Sequence, residues 1–212
     1  DVHWPTYGGD PGSQHYSALA DINRQNVREL HLAFTFETAE VAKPEFGTSP
    51  GKFEATPVEV DGVLYFPTPY NQVVALDAVT GRERWRFDPH AYAGGQVPNG
   101  TGFVHRGIAL WQDAHSPEKR VFLNTRDRLI ALNASTGRPV PQFGHDGVVD
   151  LTEGLAWPVN KKHYTNTSPP LIYKDLVIVG NGVADRLIYR KDPPGDVRAY
   201  DVHSGRLVWS FH

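Results

Sequence analysis

Short runs with alternating apolar and polar positions recur along most of the chain, each four or five residues long and closed by a turn signal. A period of two puts successive side chains on opposite faces, which predicts strands rather than helices. Residues 72–76 (QVVAL) form one such run. Ahead of it, residues 56–60 and 63–66 are joined by Asp61-Gly62, a strong two-residue hairpin signal. The same arrangement returns at 107–111 and 120–123, and again at 170–173 and 176–179, the last two joined by Lys174-Asp175.

These runs lead into an internal repeat. Ala75-Leu76-Asp77-Ala78-Val79-Thr80-Gly81-Arg82-Glu83-Arg84-Trp85 recurs as Ala131-Leu132-Asn133-Ala134-Ser135-Thr136-Gly137-Arg138, then as Ala199-Tyr200-Asp201-Val202-His203-Ser204-Gly205-Arg206-Leu207-Val208-Trp209. The copies start at positions 75, 131 and 199, so they lie 56 and 68 residues apart, a scale that signals a repeat architecture. In each copy Asp or Asn and Thr or Ser can accept from or donate to nearby backbone, and Gly supplies a positive φ. The chain then returns as a fourth strand carrying Trp85 or Trp209, a large apolar body with one N–H to satisfy. In the second copy Pro141 stands where the Trp would fall, so the turn is kept and the docking residue lost. Four short antiparallel strands per roughly 60 residues describe an all-β fold, a β-propeller with four-stranded blades.

The N-terminal part differs. Asp21 is positioned to cap a short helix through Leu30, and Leu32, Phe34 and Phe36 alternate as one strand face. The expected division is an N-terminal segment with a closing strand (1–50), a first blade (51–105), a second (106–165) and a third (166–212). Three blades do not close a ring, whose usual minimum is about four. The chain also carries no Met and stops just after a blade's outer strand. It therefore reads as the first portion of a longer propeller, processed or cut from something larger.

Composition narrows the function classes. Lys plus Arg total 21 against 24 Asp plus Glu, for a net charge of −3 with no basic block, which argues against a nucleic-acid or anionic-membrane surface. No apolar run approaches the roughly 18 residues of a membrane span. Without cysteine there are no disulfides, thiolate metal sites or cysteine catalysis. The 10 histidines lack zinc-site spacing, and hydrolase, P-loop and dinucleotide fingerprints are missing.

Repeats of the form A-x-D-x-x-T-G-x-x-x-W resemble those of the quinoprotein dehydrogenases, eight-bladed propellers that hold pyrroloquinoline quinone (PQQ). Further segments carry the same resemblance: Trp4-Pro5-Thr6-Tyr7-Gly8-Gly9-Asp10 with Tyr16-Ser17-Ala18-Leu19, then Phe53-Glu54-Ala55-Thr56-Pro57 and His105-Arg106-Gly107-Ile108-Ala109-Leu110-Trp111. Thr167-Ser168-Pro169-Pro170 followed by Val179-Gly180-Asn181-Gly182-Val183-Ala184-Asp185 continues it. Within the family these segments look most like the membrane-bound glucose dehydrogenase branch, as does Phe143-Gly144 with Gly147-Val148-Val149-Asp150-Leu151. The resemblance covers the whole chain but about the first third of such an enzyme.

The resemblance implies cofactor roles for Glu54, His105, Arg106, Thr167, Val183 and Ala184, and a Ca²⁺ ligand in Asp185. PQQ is a flat tricarboxylated ortho-quinone. Arg106 would pair with a carboxylate through its guanidinium fork. Glu54 and Thr167 would share hydrogen bonds at the cofactor edge, and Val183 and Ala184 would lie beside the ring through backbone atoms. Asp185 suits a hard cation acting as Lewis acid. The alcohol-oxidising branch stacks PQQ on a disulfide of adjacent cysteines, whereas residues 99–102 here read NGTG; the glucose branch uses a nearby histidine, for which His105 is the candidate. The catalytic-base aspartate, a second Ca²⁺ ligand and the aromatic floor under PQQ belong to later blades, so no catalytic residue is expected in this chain.

Taken singly, each residue also has a plain structural reading: Arg106 as a surface ion pair, Asp185 as an Asx-turn residue in a Gly-rich loop, Glu54 as a strand start. The expectation is part of a dehydrogenase that oxidises a glucose-like sugar or polyol by hydride transfer to Ca²⁺-bound PQQ. Electrons would pass to a quinone or cytochrome, in the periplasm, with an inner-membrane anchor supplied by another segment. The alternatives are a non-enzymatic propeller scaffold like the outer-membrane assembly lipoprotein, and a short protein whose copies self-associate into a ring.

Overall fold

The computed structural model describes residues 3–10, 12–98, 100–183 and 191–212. Twelve strands form three four-stranded antiparallel sheets, each meandering in chain order. The first blade comprises β1 Val58–Val60, β2 Val63–Pro67, β3 Val73–Asp77 and β4 Glu83–Phe87. The second comprises β5 Ala109–Gln112, β6 Lys119–Thr125, β7 Arg128–Asn133 and β8 Val148–Asp150. The third comprises β9 Leu171–Tyr173, β10 Leu176–Val179, β11 Val197–Asp201 and β12 Leu207–Phe211. Asp61 and Gly62 both take positive φ, 52° and 71°, and close the β1–β2 hairpin in the register Val60↔Val63. That double left-handed turn matches the twist of the strands it joins.

Blade two is buried on both faces, and its period of two sorts the side chains between them. Leu110, Val121, Leu123, Ile130 and Leu132 pack against Val58, Val63, Tyr65 and Val73 of blade one. Ala109, Phe122, Leu129 and Ala131 pack against Val177, Val179 and Tyr200 of blade three. These are face-to-face sheet contacts of the kind that make a sandwich core. Phe122 is fully buried, and truncating such a ring to Ala costs about 3–5 kcal/mol.

The repeated turns fold as their residues predict. Asp77 Oδ1 accepts from the Thr80 amide and hydroxyl, both at 2.9 Å. Asn133 Oδ1 does the same with Thr136 at 3.0 and 3.1 Å, and Asp201 Oδ1 with Ser204 at 2.7 and 2.6 Å. Gly81, Gly137 and Gly205 then take φ of 68°, 69° and 72°. Each turn is covered by a different neighbour. Trp85 lies on Gly137, where a Cβ would sit 2.5 Å from the indole, and its Nε1 donates to Ala134 O at 2.9 Å. Gly205 instead abuts Gly144, whose amide donates to Ser204 O at 2.8 Å, so blade two docks through backbone where it lacks the tryptophan.

The N-terminal expectation is corrected. No helix spans 21–30; a single 3-10 turn forms at Val27–Glu29, flanked by Asn26. Val27 and Leu30 stay exposed, so no apolar face anchors a longer helix. Asn26 Oδ1 accepts from the Asn23 amide and its Nδ2 donates to Asp21 O, side-chain bonds that compete with helix formation. Residues 31–42 form no strand, because among the described residues none pairs with them as a ladder partner. The segment nonetheless covers blade one. Phe34 lies where a Cβ on Gly81 would come within 2.4 Å of its ring, and Phe36 meets Phe66 edge-on at 5.3 Å. Among the described residues no helix is long and apolar enough to cross a membrane.

Candidate functional site

Each inner strand is reached through an extended lead-in, and the lead-ins bond to one another across the blades. The Thr56 amide donates to Arg106 O at 2.9 Å, and the Arg106 amide donates to Thr167 O at 2.9 Å. Pro50 and Phe103 form a parallel bridge further out. Gly51 makes this approach possible, since a Cβ there would lie 2.1 Å from Phe103 O. The resulting row brings Glu54, Arg106 and Thr167, from three blades, to one end of the inner strands.

Arg106 Nη2 lies 3.5 Å from Glu54 Oε2, with the two side chains 41% and 39% exposed. At that exposure the pair contributes about 0–1 kcal/mol, so it stabilises the fold little. A guanidinium carries five donors in a fixed fork, and one carboxylate at 3.5 Å does not saturate it. Thr167 beside it is half-buried. A cation and an acceptor at one accessible rim, with a threonine in the neighbouring lead-in, suit a ligand bearing carboxylates.

His105 faces the other way. Its ring is buried, with Nε2 2.8 Å from Asn124 O and 3.1 Å from Asn124 Oδ1, and Nδ1 accepts from the Gly107 amide at 3.4 Å. Acceptance at Nδ1 assigns the Nε2–H tautomer from the hydrogen-bond network. Burial pushes its pKa down and keeps the ring neutral. The reason is alternation: in an extended segment, Arg106 turned to the rim leaves His105 turned inward. Asn124 Nδ2 donates to Ser168 O at 3.0 Å, so His105 and Asn124 together tie the lead-ins of blades two and three.

The loop after β10 approaches the same end. The Gly182 amide donates to Thr165 O at 2.7 Å, and a Cβ on Gly182 would lie 2.4 Å from Thr165 Oγ1. Val183 follows, 57% exposed. Ala184 and Asp185 lie outside the described residues. Among the described residues no cluster of three or more His, Asp and Glu could hold a metal. The roles of Gly51 and Asn124 carry no local sequence signal, because their partners are distant in the chain.

A cleft of about 290 Å³ lies against the inner strands, between residues 5–8, 10 and 13 on one side and 108–110 and 168–172 on the other. Its walls are mostly apolar and include none of Glu54, Arg106 and Thr167. The charged rim, not this cleft, holds the groups suited to an anionic ligand.

Comparison with known proteins agrees with the fold. The profile of the family described as "PQQ: Glucose/ethanol/alcohol dehydrogenase, beta-propeller domain" matches residues 4–212. The chain is 34% identical to the quinoprotein glucose dehydrogenase of Escherichia coli (strain K12) over 227 residues, which covers 100% of this chain and 27% of that protein. It is 31% identical to quinoprotein glucose dehydrogenase A of Acinetobacter calcoaceticus, covering 98% of this chain and 27% of the relative. Among solved structures, the quinohemoprotein alcohol dehydrogenase of Comamonas testosteroni superposes with a TM-score of 0.72 at 30% identity, over 99% of this chain and 27% of that one. The chain thus spans about a quarter of the length of these relatives. Three four-stranded blades, the docked turns and this match across residues 4–212 place the chain in the β-propeller family of the PQQ-dependent glucose, ethanol and alcohol dehydrogenases.

Proposed function

We propose that this chain supplies one wall of a PQQ site in a dehydrogenase that oxidises a hydroxyl of a glucose-like sugar or polyol. The observation that carries the reading is the cross-blade row of Glu54, Arg106 and Thr167, held by two 2.9 Å backbone bonds at an accessible rim. Two glucose dehydrogenases at 31% and 34% identity support a sugar-type substrate. When bound, PQQ supplies the two-electron oxidising capacity, and the protein supplies orientation and electrostatics.

The chain's own residues divide that work. Arg106 would pair with a carboxylate of the cofactor, with Glu54 3.5 Å from its guanidinium to orient it. Thr167 offers its hydroxyl at the ring edge. Val183 would border the ring through backbone, and Ala184 and Asp185, which lie outside the described residues, are the candidates to extend that border and to ligate Ca²⁺. His105 acts as a positioning residue, fixing the Arg106 backbone from behind through Asn124. The substrate base and remaining metal ligands come from later blades. Electrons leave to a quinone or cytochrome acceptor, and the enzyme works in the periplasm.

The test uses the intact protein. Arg106→Ala is expected to weaken PQQ binding roughly tenfold or more, since a charge-assisted pair contributes about 1.5–3 kcal/mol. Dye reduction should fall with it while the urea midpoint moves little. Unchanged PQQ titration by fluorescence or calorimetry would remove Arg106 from the site and with it the anchoring scheme.

A further inference from the structure

Two buried polar side chains next to the rim are only partly satisfied. Arg126 lies in the two-residue turn between β6 and β7, in the left-handed region with φ 53°. Its guanidinium is turned inward, 6% exposed, 5.8 Å from the Phe103 ring centroid, and Nη2 donates to Gly94 O at 2.7 Å. Asn166, 8% exposed, directly precedes Thr167, and its Nδ2 donates to Arg126 O at 2.6 Å. That bond settles which end of the amide is which. Arg126 Nη1 and Asn166 Oδ1 have no hydrogen-bond partner among the described residues. Such groups are rare in a folded interior and call for a partner.

Both residues line one small cavity, shared with Asn71, Phe103, Val104 and Thr165. It offers about 10 Å³ of space to the centre of a water-sized sphere, which is room for roughly one water and no larger ligand. We propose that this cavity is a binding site for a single structural water, which accepts from Arg126 Nη1 and donates to Asn166 Oδ1.

Chemistry selects water over an ion of similar size. A halide could accept from Arg126 but would meet the lone pairs of Asn166 Oδ1, and a small cation would meet the guanidinium. A neutral molecule that both accepts and donates satisfies the pair. The site joins three segments: the chain at Gly94 and Phe103, the β6–β7 turn, and the lead-in of blade three one residue before Thr167. It is independent of any cofactor, because every partner belongs to this chain.

A crystal structure of the intact protein at about 1.6 Å resolution tests it directly. The expected result is one ordered peak within hydrogen-bonding distance, about 2.6–3.2 Å, of both Arg126 Nη1 and Asn166 Oδ1. A void in the density overturns the proposal, as does an Arg126 side chain bonded through Nη1 to another protein group. An anomalous peak there after a bromide soak also overturns it, because the occupant is then an ion. In solution, ¹⁷O relaxation dispersion should count one fewer long-lived water in Asn166→Leu than in the native protein. An unchanged count with native circular dichroism counts against the site, and the crystallographic result stands by itself if that variant does not fold.

Discussion

A histidine enclosed without a charged partner titrates against its own burial. Buried among the lead-ins, His105 is held neutral, with its pKa below the usual value of about 6.5. The unfolded chain therefore takes up a proton below about pH 6.5 that the folded chain refuses, so stability falls as pH drops through that window. Stability measured by urea titration from pH 7 to pH 5 should decline in the native protein and decline less in His105→Gln. An equal slope in both would mean that the ring is not the group responsible. Residues of this kind explain which parts of the site were legible in the sequence. Arg106, Glu54 and Thr167 stand out because they sit in family-like segments and are residue types suited to the proposed cofactor. Nothing local distinguishes Gly51, whose importance comes from the carbonyl of Phe103, 52 positions away in the chain. The inward turn of His105 follows from alternation, yet only once Arg106 is known to face the rim.

The turns were the most legible elements, because their chemistry is contained within five residues. Asp-x-x-Thr-Gly specifies its own hydrogen bonds, whatever lies beyond it. Most strands followed from alternation, whereas β8, which lies well past its turn, is not anticipated by it; the twelve strands among the described residues fall into three meanders. Legibility failed where structure depends on what an element meets: residues 21–30 have helix periodicity but exposed apolar positions, and Phe34 and Phe36 pack on blade one without a ladder partner among the described residues. The docking contacts yield a sharp expectation at this scale. A methyl on Gly137 would need a left-handed backbone and would meet Trp85 at 2.5 Å. Gly137→Ala should cost on the order of 2–4 kcal/mol, combining the backbone and overpacking penalties. Gly154→Ala, with a similar φ of 72° and open space around its Cβ, should cost only the backbone part. Urea midpoints of the two variants separate strain from packing, and equal losses would mean that the indole yields freely.

At the scale of the whole chain the two outer faces are unequal. Blade one has Phe34 over its turn and Phe36 against Phe66, whereas blade three exposes Leu171, Tyr173, Trp209 and Phe211. The register Leu171–Ile178–Ala199–Trp209 on that face corresponds to Val58–Tyr65–Ala75–Trp85, the face by which blade one packs on blade two. An apolar surface of that kind favours association in water. Expressed as these 212 residues alone, the chain should show a light-scattering mass that grows with concentration. Trp209→Glu should lower that mass, and a native chain monomeric across the range would show that the face needs no cover. The asymmetry also sets an order in time. Phe34 leaves the ribosome before its socket at Gly81, so the first blade can be sealed on its outer side as soon as its own strands have emerged. Each later blade can then fold onto a face that already exists, so that the growing chain exposes one sticky surface at a time instead of two.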